Sequence, residues 1–240
     1  VQFSLITFCA ALLLSIIHLN AARFRSVPLF PYRVWVSLAA GVSVSYVFLQ
    51  LLPKLAQSDA VLTANGGSAE VAKYQAFLIA LVGLVAFYGI EKVLSKAARE
   101  FNPEKLIAIF WARVGLFACY NIPIGYLLQY QLVYNGLRGL ALYVVAIALH
   151  LIVIDSALLR GHNGREAKMA RVLLAVGLCF GWASSAFNVL SEAMLAAVLA
   201  LLAGAMILVV LKEELPNQNE SHFPSFALGA FSYALLLIGL

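Results

Sequence analysis

Charge is scarce in this chain. Asp, Glu, Lys and Arg make up 11% of its 240 residues, where a soluble domain carries about 25%. That deficit excludes an ordinary water-solvated surface. A separate soluble domain is excluded too: the longest connection between apolar runs, about residues 54–72 with Asn65-Gly66-Gly67 at its middle, is too short to bury a core of its own. Cysteine is rare, and Cys9, Cys119 and Cys179 fall singly in different apolar runs. They lack C-x-x-C spacing and read as small packing residues. The chain also has no H-E-x-x-H, no serine/histidine pair at catalytic spacing and no paired intramembrane aspartates, which argues against an enzyme.

What fills the chain instead is apolar: 63% of residues are hydrophobic. Eight near-continuous runs lie at about residues 3–22, 33–53, 73–92, 106–128, 136–159, 170–188, 191–211 and 223–240. Runs of roughly 20 such residues are long enough to cross a bilayer. Inside hydrocarbon every backbone polar group needs an internal partner, so spans are helices or closed barrels. These runs are too long and too uniformly apolar for barrel strands. The expectation is an all-α, multi-pass integral membrane protein of eight transmembrane helices, with residues 1–240 forming a single transmembrane domain in a bacterial inner membrane or its equivalent. The first run lacks a basic leader and an obvious cleavage site, and His18 and Asn20 near its end suit a retained span.

The net charge of +5 is a topology signal. Arg23, Arg25, Arg33, Lys92, Lys96, Arg99, Lys105, Arg160, Arg165, Lys168, Arg171 and Lys212 belong to the odd-numbered connections, whereas the even ones hold only Lys54, Lys73 and Arg138. The positive-inside bias puts the odd connections in the cytoplasm and both termini on the extracytoplasmic side. It gives no reason to expect nucleic acid as a partner. On this topology the sequon Asn219-Glu220-Ser221 faces the cytoplasm.

Spans 2 and 7 carry one motif twice. Ala40-Gly41 is followed, twelve residues after the glycine, by Leu52-Pro53; Ala203-Gly204 is followed at the same distance by Leu215-Pro216. Val47 matches Val210 and Gln50 matches Glu213. The two copies cross the membrane in opposite directions, as in inverted-repeat transporter folds, here pairing spans 1–3 with spans 6–8.

Few intramembrane residues can carry chemistry. Span 4 holds Tyr120-Asn121-Ile122-Pro123-Ile124-Gly125. The proline frees a backbone carbonyl and kinks the axis, and Asn121 beside it can either coordinate a cation or bond a neighbouring helix. Span 5 holds His150 and Asp155, about 140° apart on the helix and so on different faces. They can serve a proton or cation relay, or make separate bonds to neighbours. Arg113 in span 4 can snorkel or pair with Asp155. Gly177, Gly181 and Ser185 form a small-residue seam, internal or at a dimer interface. Glu91, Glu213, Glu214 and His18 sit toward span ends, where charged groups are usually solvated.

Together these segments resemble the ZIP (Zrt/Irt-like) family of divalent-metal transporters. Gly41 through Pro53 looks like the family's second helix and Gly204 through Pro216 like its seventh. Tyr120 through Gly125 looks like its fourth-helix motif H-N-x-P-E-G, and His150 through Asp155 falls where the fifth-helix H-E-x-P-H-E would lie. The resemblance implies a ZIP-like bundle with a mid-membrane metal site, onto which Asn121, His150 and Asp155 alone carry a family-like residue. Tyr120, Ile124, Leu151 and Ile154 stand where the family has ligands, and Lys54 where it has a glutamate. Zinc needs about four nitrogen, sulfur or oxygen ligands. The chain keeps the helix-shaping residues Gly41, Pro53, Pro123, Gly125, Gly204 and Pro216 and discards ligands. The expectation is a non-transporting subunit or scaffold of a membrane protein assembly, with no cofactor, in contact with the lipid bilayer and with itself as a homodimer or with a larger complex. Its packing surface would come from the span 6 seam and from Phe30, Tyr32 and Trp35. The alternative is a divergent zinc, iron or manganese transporter with a weak divalent-metal site at Asn121, His150 and Asp155.

Overall fold

The computed structural model describes residues 4–24, 31–64, 74–98, 103–162, 164–187, 190–215 and 222–239. Arg25, Phe30, the Asn65-Gly66-Gly67 loop, Lys73, Arg99, Pro216 and the Asn219 sequon lie outside them, as do the side chains of Arg23 and Glu213. The described residues are helical throughout, without a strand: α1 (Leu5–Phe24), α2 (Tyr32–Tyr46), α3 (Leu52–Ala64), α4 (Gln75–Ala98), α5 (Pro103–Leu158), α6 (Arg165–Ser185), α7 (Glu192–Val209) and α8 (Phe223–Ile238). Two π-helical segments continue α2 and α7, at Val47–Leu51 and Val210–Glu214.

Among the described residues, five continuous helices are long and apolar enough to cross a membrane: Tyr32–Thr63, Gln75–Ala98, Lys105–Leu158, Arg165–Ser185 and Glu192–Lys212. Leu5–Asn20 and Phe223–Ile238 are apolar but shorter. Their outward faces carry bare aliphatic and aromatic side chains, among them Val82, Val85, Phe180 and Phe231. Polar groups such as His18, Asn121 and Asp155 are buried. A polar inside with an apolar outside is the arrangement a lipid solvent favours. The protein is therefore an all-α, membrane-embedded bundle.

The longest helix is broken where glycine is needed. Gly136 has φ 65° and ψ −170°, a backbone conformation that side chains with a Cβ rarely adopt. Pro123, by contrast, stays within helical backbone angles. The chain thus divides at Gly136, the start of the fifth apolar run, and not at the proline.

The two motif copies are equivalent in packing as well as in spelling. A shift of 163 residues carries Gly41 onto Gly204 and Val47–Leu51 onto Val210–Glu214, so both π segments begin six residues after their glycine. Gly41 lies against the backbone of Phe226 and Ala230 on α8; Gly204 lies against Ala80 and Leu84 on α4. The reverse contacts match too: Gly83 of α4 meets Leu201, and Gly229 of α8 meets Leu38. Leu38 and Leu201 are again 163 apart, and Gly83 and Gly229 share the 146-residue offset of Ala80 and Phe226. Each seam therefore interlocks a glycine from both helices, allowing close backbone approach.

The span 6 seam faces inward. Gly177 meets the backbone of Ala118 and Gly181 that of Ile122, while Gly125 meets Leu178. Its small residues are occupied by α5, so they offer no face to a second protein; a lone helix cannot show which neighbour uses its groove. The three cysteines also depart from expectation. Cys9, Cys119 and Cys179 are all exposed on helix surfaces, although Cys179 Sγ also lies 3.1 Å from Ser15 Oγ of α1.

Candidate functional site

Two polar clusters occupy the bundle interior. In the first, α1 presents His18, fully buried. Its Nδ1 lies 2.7 Å from Asp155 Oδ2, and its Nε2 lies 3.1 Å from Asn121 Nδ2. A carboxylate only accepts, so Nδ1 carries the proton and donates; Nε2 then accepts from the Asn121 amide. The second amide hydrogen of Asn121 goes to the Leu174 carbonyl at 3.3 Å. One asparagine thereby ties α5 to both α1 and α6.

The second cluster is built around His150. Its Nδ1 donates to Glu214 Oε1, and its Nε2 accepts from the Tyr120 hydroxyl at 3.0 Å. Both partners are buried. Glu214 arrives from the π segment after α7, where Leu215 N donates to Val210 O across the wider turn at 3.2 Å. One extra residue in a turn rotates the residues beyond it by about 100°, which resets the face that Glu214 presents. Its second oxygen, Oε2, is buried without a hydrogen-bond partner among the described residues.

The three residues singled out as metal ligands are thus divided. Asn121 and Asp155 meet through His18, whereas His150 belongs to the other cluster. The different faces expected for His150 and Asp155 correspond to these different partners. Among the described residues no three His, Cys, Asp or Glu side chains converge in a set able to hold a metal ion. Leu151, Ile154 and Ile124 are buried aliphatics. Lys54 extends toward the Tyr130 ring, 5.2 Å from its centroid.

Two sequence expectations need correction. Arg113 does not pair with Asp155; it lies 3.4 Å from Glu91 and donates to Ser95 Oγ at 2.8 Å. The reason is placement: Arg113 faces α4, while Asp155 faces α1. Glu91 and Glu214 are buried despite their positions near helix ends, Glu91 because Arg113 folds over it and Glu214 because the π turn directs it inward. His18 is buried because Asp155 and Asn121 converge on it. Gln50, the match of Glu213, accepts from the Tyr233 hydroxyl at 3.3 Å. A signal for Glu214 was available in the repeat: its match, Leu51, is a buried residue, so the register position is an interior one.

No family model matches the chain, and no curated protein matches it in sequence.

Proposed function

We propose that the protein is a ZIP-like bundle of eight spans, with both termini extracytoplasmic and spans 1–3 repeated in inverted form by spans 6–8. In this reading it is a non-transporting, non-enzymatic subunit or scaffold of a membrane assembly. Counting α5 as two spans on either side of Gly136, and the two shorter apolar helices as spans, gives the eight. The interlocked glycine seams and the matched π segments support the repeat. The observation that carries the functional reading is the engagement of all four ring nitrogens of His18 and His150 in bonds between helices. Groups that could ligate a metal are used to hold the bundle together, and aliphatics occupy the positions between them. The partner is a second copy in a homodimer or other members of a larger complex.

One observation favours a second reading, a divergent divalent-metal transporter with a reduced site. Glu214 Oε2 is a buried carboxylate oxygen beside His150 with no partner among the described residues, and such a group gains from a cation. Elemental analysis and zinc, iron and manganese flux in proteoliposomes decide between the two, with His150→Ala and Asn121→Ala alongside. The expected result is folded protein with no bound metal and no flux. Metal or flux lost in both variants would overturn the scaffold reading.

A further inference from the structure

A cavity of about 380 Å³ opens away from the histidine clusters, between α4, both parts of α5 and the end of α7. Its volume lies within the roughly 300–1,000 Å³ of small-ligand sites. Among the described residues that line it, Arg113, Arg160 and Lys212 are basic and Glu91 is acidic. Glu91 does not use up the guanidinium. Their contact is a long 3.4 Å, and the buried Nε of Arg113 has no partner among the described residues. His162 lies flat on Phe110, with ring centroids 3.9 Å apart, and its buried Nδ1 is likewise without a partner among them. Phe87, Phe117, Ile154 and Leu208 give it an apolar lining as well.

We propose that this cavity binds an anionic phospholipid. Its phosphate would sit among Arg113, Arg160 and Lys212, and the start of an acyl chain against Phe117 and Leu208. A planar guanidinium with an unused donor suits phosphate oxygens. The shared chemistry, a phosphate, is also available from solution, but a free phosphate would leave the apolar lining facing water. Basic pockets between transmembrane helices on the cytoplasmic side are known hosts of anionic headgroups, and loop charge assigns this end to that side. The inference does not depend on whether the protein transports a metal.

The test compares binding of phosphatidylglycerol, phosphatidylcholine with the same acyl chains, and inorganic phosphate to the purified full chain in detergent, read by native mass spectrometry. The same measurement is made on the double variant Arg160→Gln/Lys212→Gln. Both side chains are exposed, so the bundle should tolerate their loss. The expected result is a preference for phosphatidylglycerol over phosphatidylcholine on the order of tenfold or more, removed in the double variant. Equal binding of the two lipids, or a preference that survives the double variant, would overturn the proposal. Inorganic phosphate binding as tightly as phosphatidylglycerol would assign the site to a free anion and overturn it as well. If the double variant does not fold, the comparison of the three probes on the unaltered chain decides the matter.

Discussion

Gly204 packs against Ala80 so closely that a Cβ on the glycine would lie 1.7 Å from the Ala80 carbonyl oxygen. Its match in the other motif copy, Gly41, would place a Cβ 2.1 Å from the Phe226 carbonyl oxygen. Backbone cannot swing aside as a flexible side chain can, so an added methyl must push two helices apart.

Gly204→Ala and Gly41→Ala are therefore expected to destabilise the bundle by about 1–3 kcal/mol each, or more, as overpacking does. Thermal melting in detergent micelles is the measurement. Gly89→Ala and Gly115→Ala are the controls, since a Cβ there meets nothing within 4 Å; they should be neutral or slightly stabilising. Gly204 and Gly41 belong to different seams, so their effects should add. Gly204 and Gly83 share the α4–α7 seam, and their effects should not. Additivity in both cases would contradict the interlocked packing.

His18 and Asp155 are both buried and 2.7 Å apart. Asp155→Leu strands the Nδ1–H of His18, at a cost of about 1–3 kcal/mol, and His18→Leu leaves the Asp155 carboxylate buried without that donor, which costs more. Asp155→Leu and His18→Leu should each lower the melting temperature sharply. The double variant His18→Leu/Asp155→Leu should recover much of the loss, because two apolar groups of similar volume can replace a buried pair. A double variant as damaged as the sum of the singles would show that the residues act independently.

Arg113 should couple to Glu91 and not to Asp155. The Arg113 side chain is 31% exposed and its contact with Glu91 is 3.4 Å, so solvent weakens the pair to about 0.2–1 kcal/mol. Double-mutant cycles with Arg113→Gln would measure both couplings. A larger coupling to Asp155→Asn than to Glu91→Gln would mean that the two helices pack in another register.

The helices were legible in the sequence because long apolar runs leave the backbone no alternative in lipid. The spacing of the repeated motif was legible as well, but not the π segments that both copies form six residues after their glycine. The break near residue 136 coincided with the start of an apolar run, although the backbone turns on Gly136 and not on the more conspicuous Pro123. The hydrogen-bond partners were not legible. His18 meets Asp155 across 137 positions of chain, and such a pairing depends on how whole helices dock. Arg113 shows the same limit: its place in the sequence suggested a carboxylate partner, but rotation about the helix axis chose Glu91. The burial of Glu214 was hidden by its place at a span end and by a π turn with no sequence mark except its match to Leu51.

That match gives the last prediction. The interior position filled by leucine in one copy holds a carboxylate in the other, and the difference between them is the bond to His150. Glu214→Leu should restore an apolar residue where the fold already accepts one, but strand the Nδ1–H of His150 in the core. An unsatisfied buried donor costs about 1–3 kcal/mol, so the single variant should be destabilised. His150→Phe in the Glu214→Leu background removes the stranded donor and should restore stability, apart from the Tyr120 hydroxyl, which Tyr120→Phe then relieves. Melting temperatures of the single, double and triple variants should fall and then rise in that order. A fall that continues through the triple variant would show that the cluster is held by packing contacts that these substitutions destroy, and not by its hydrogen bonds.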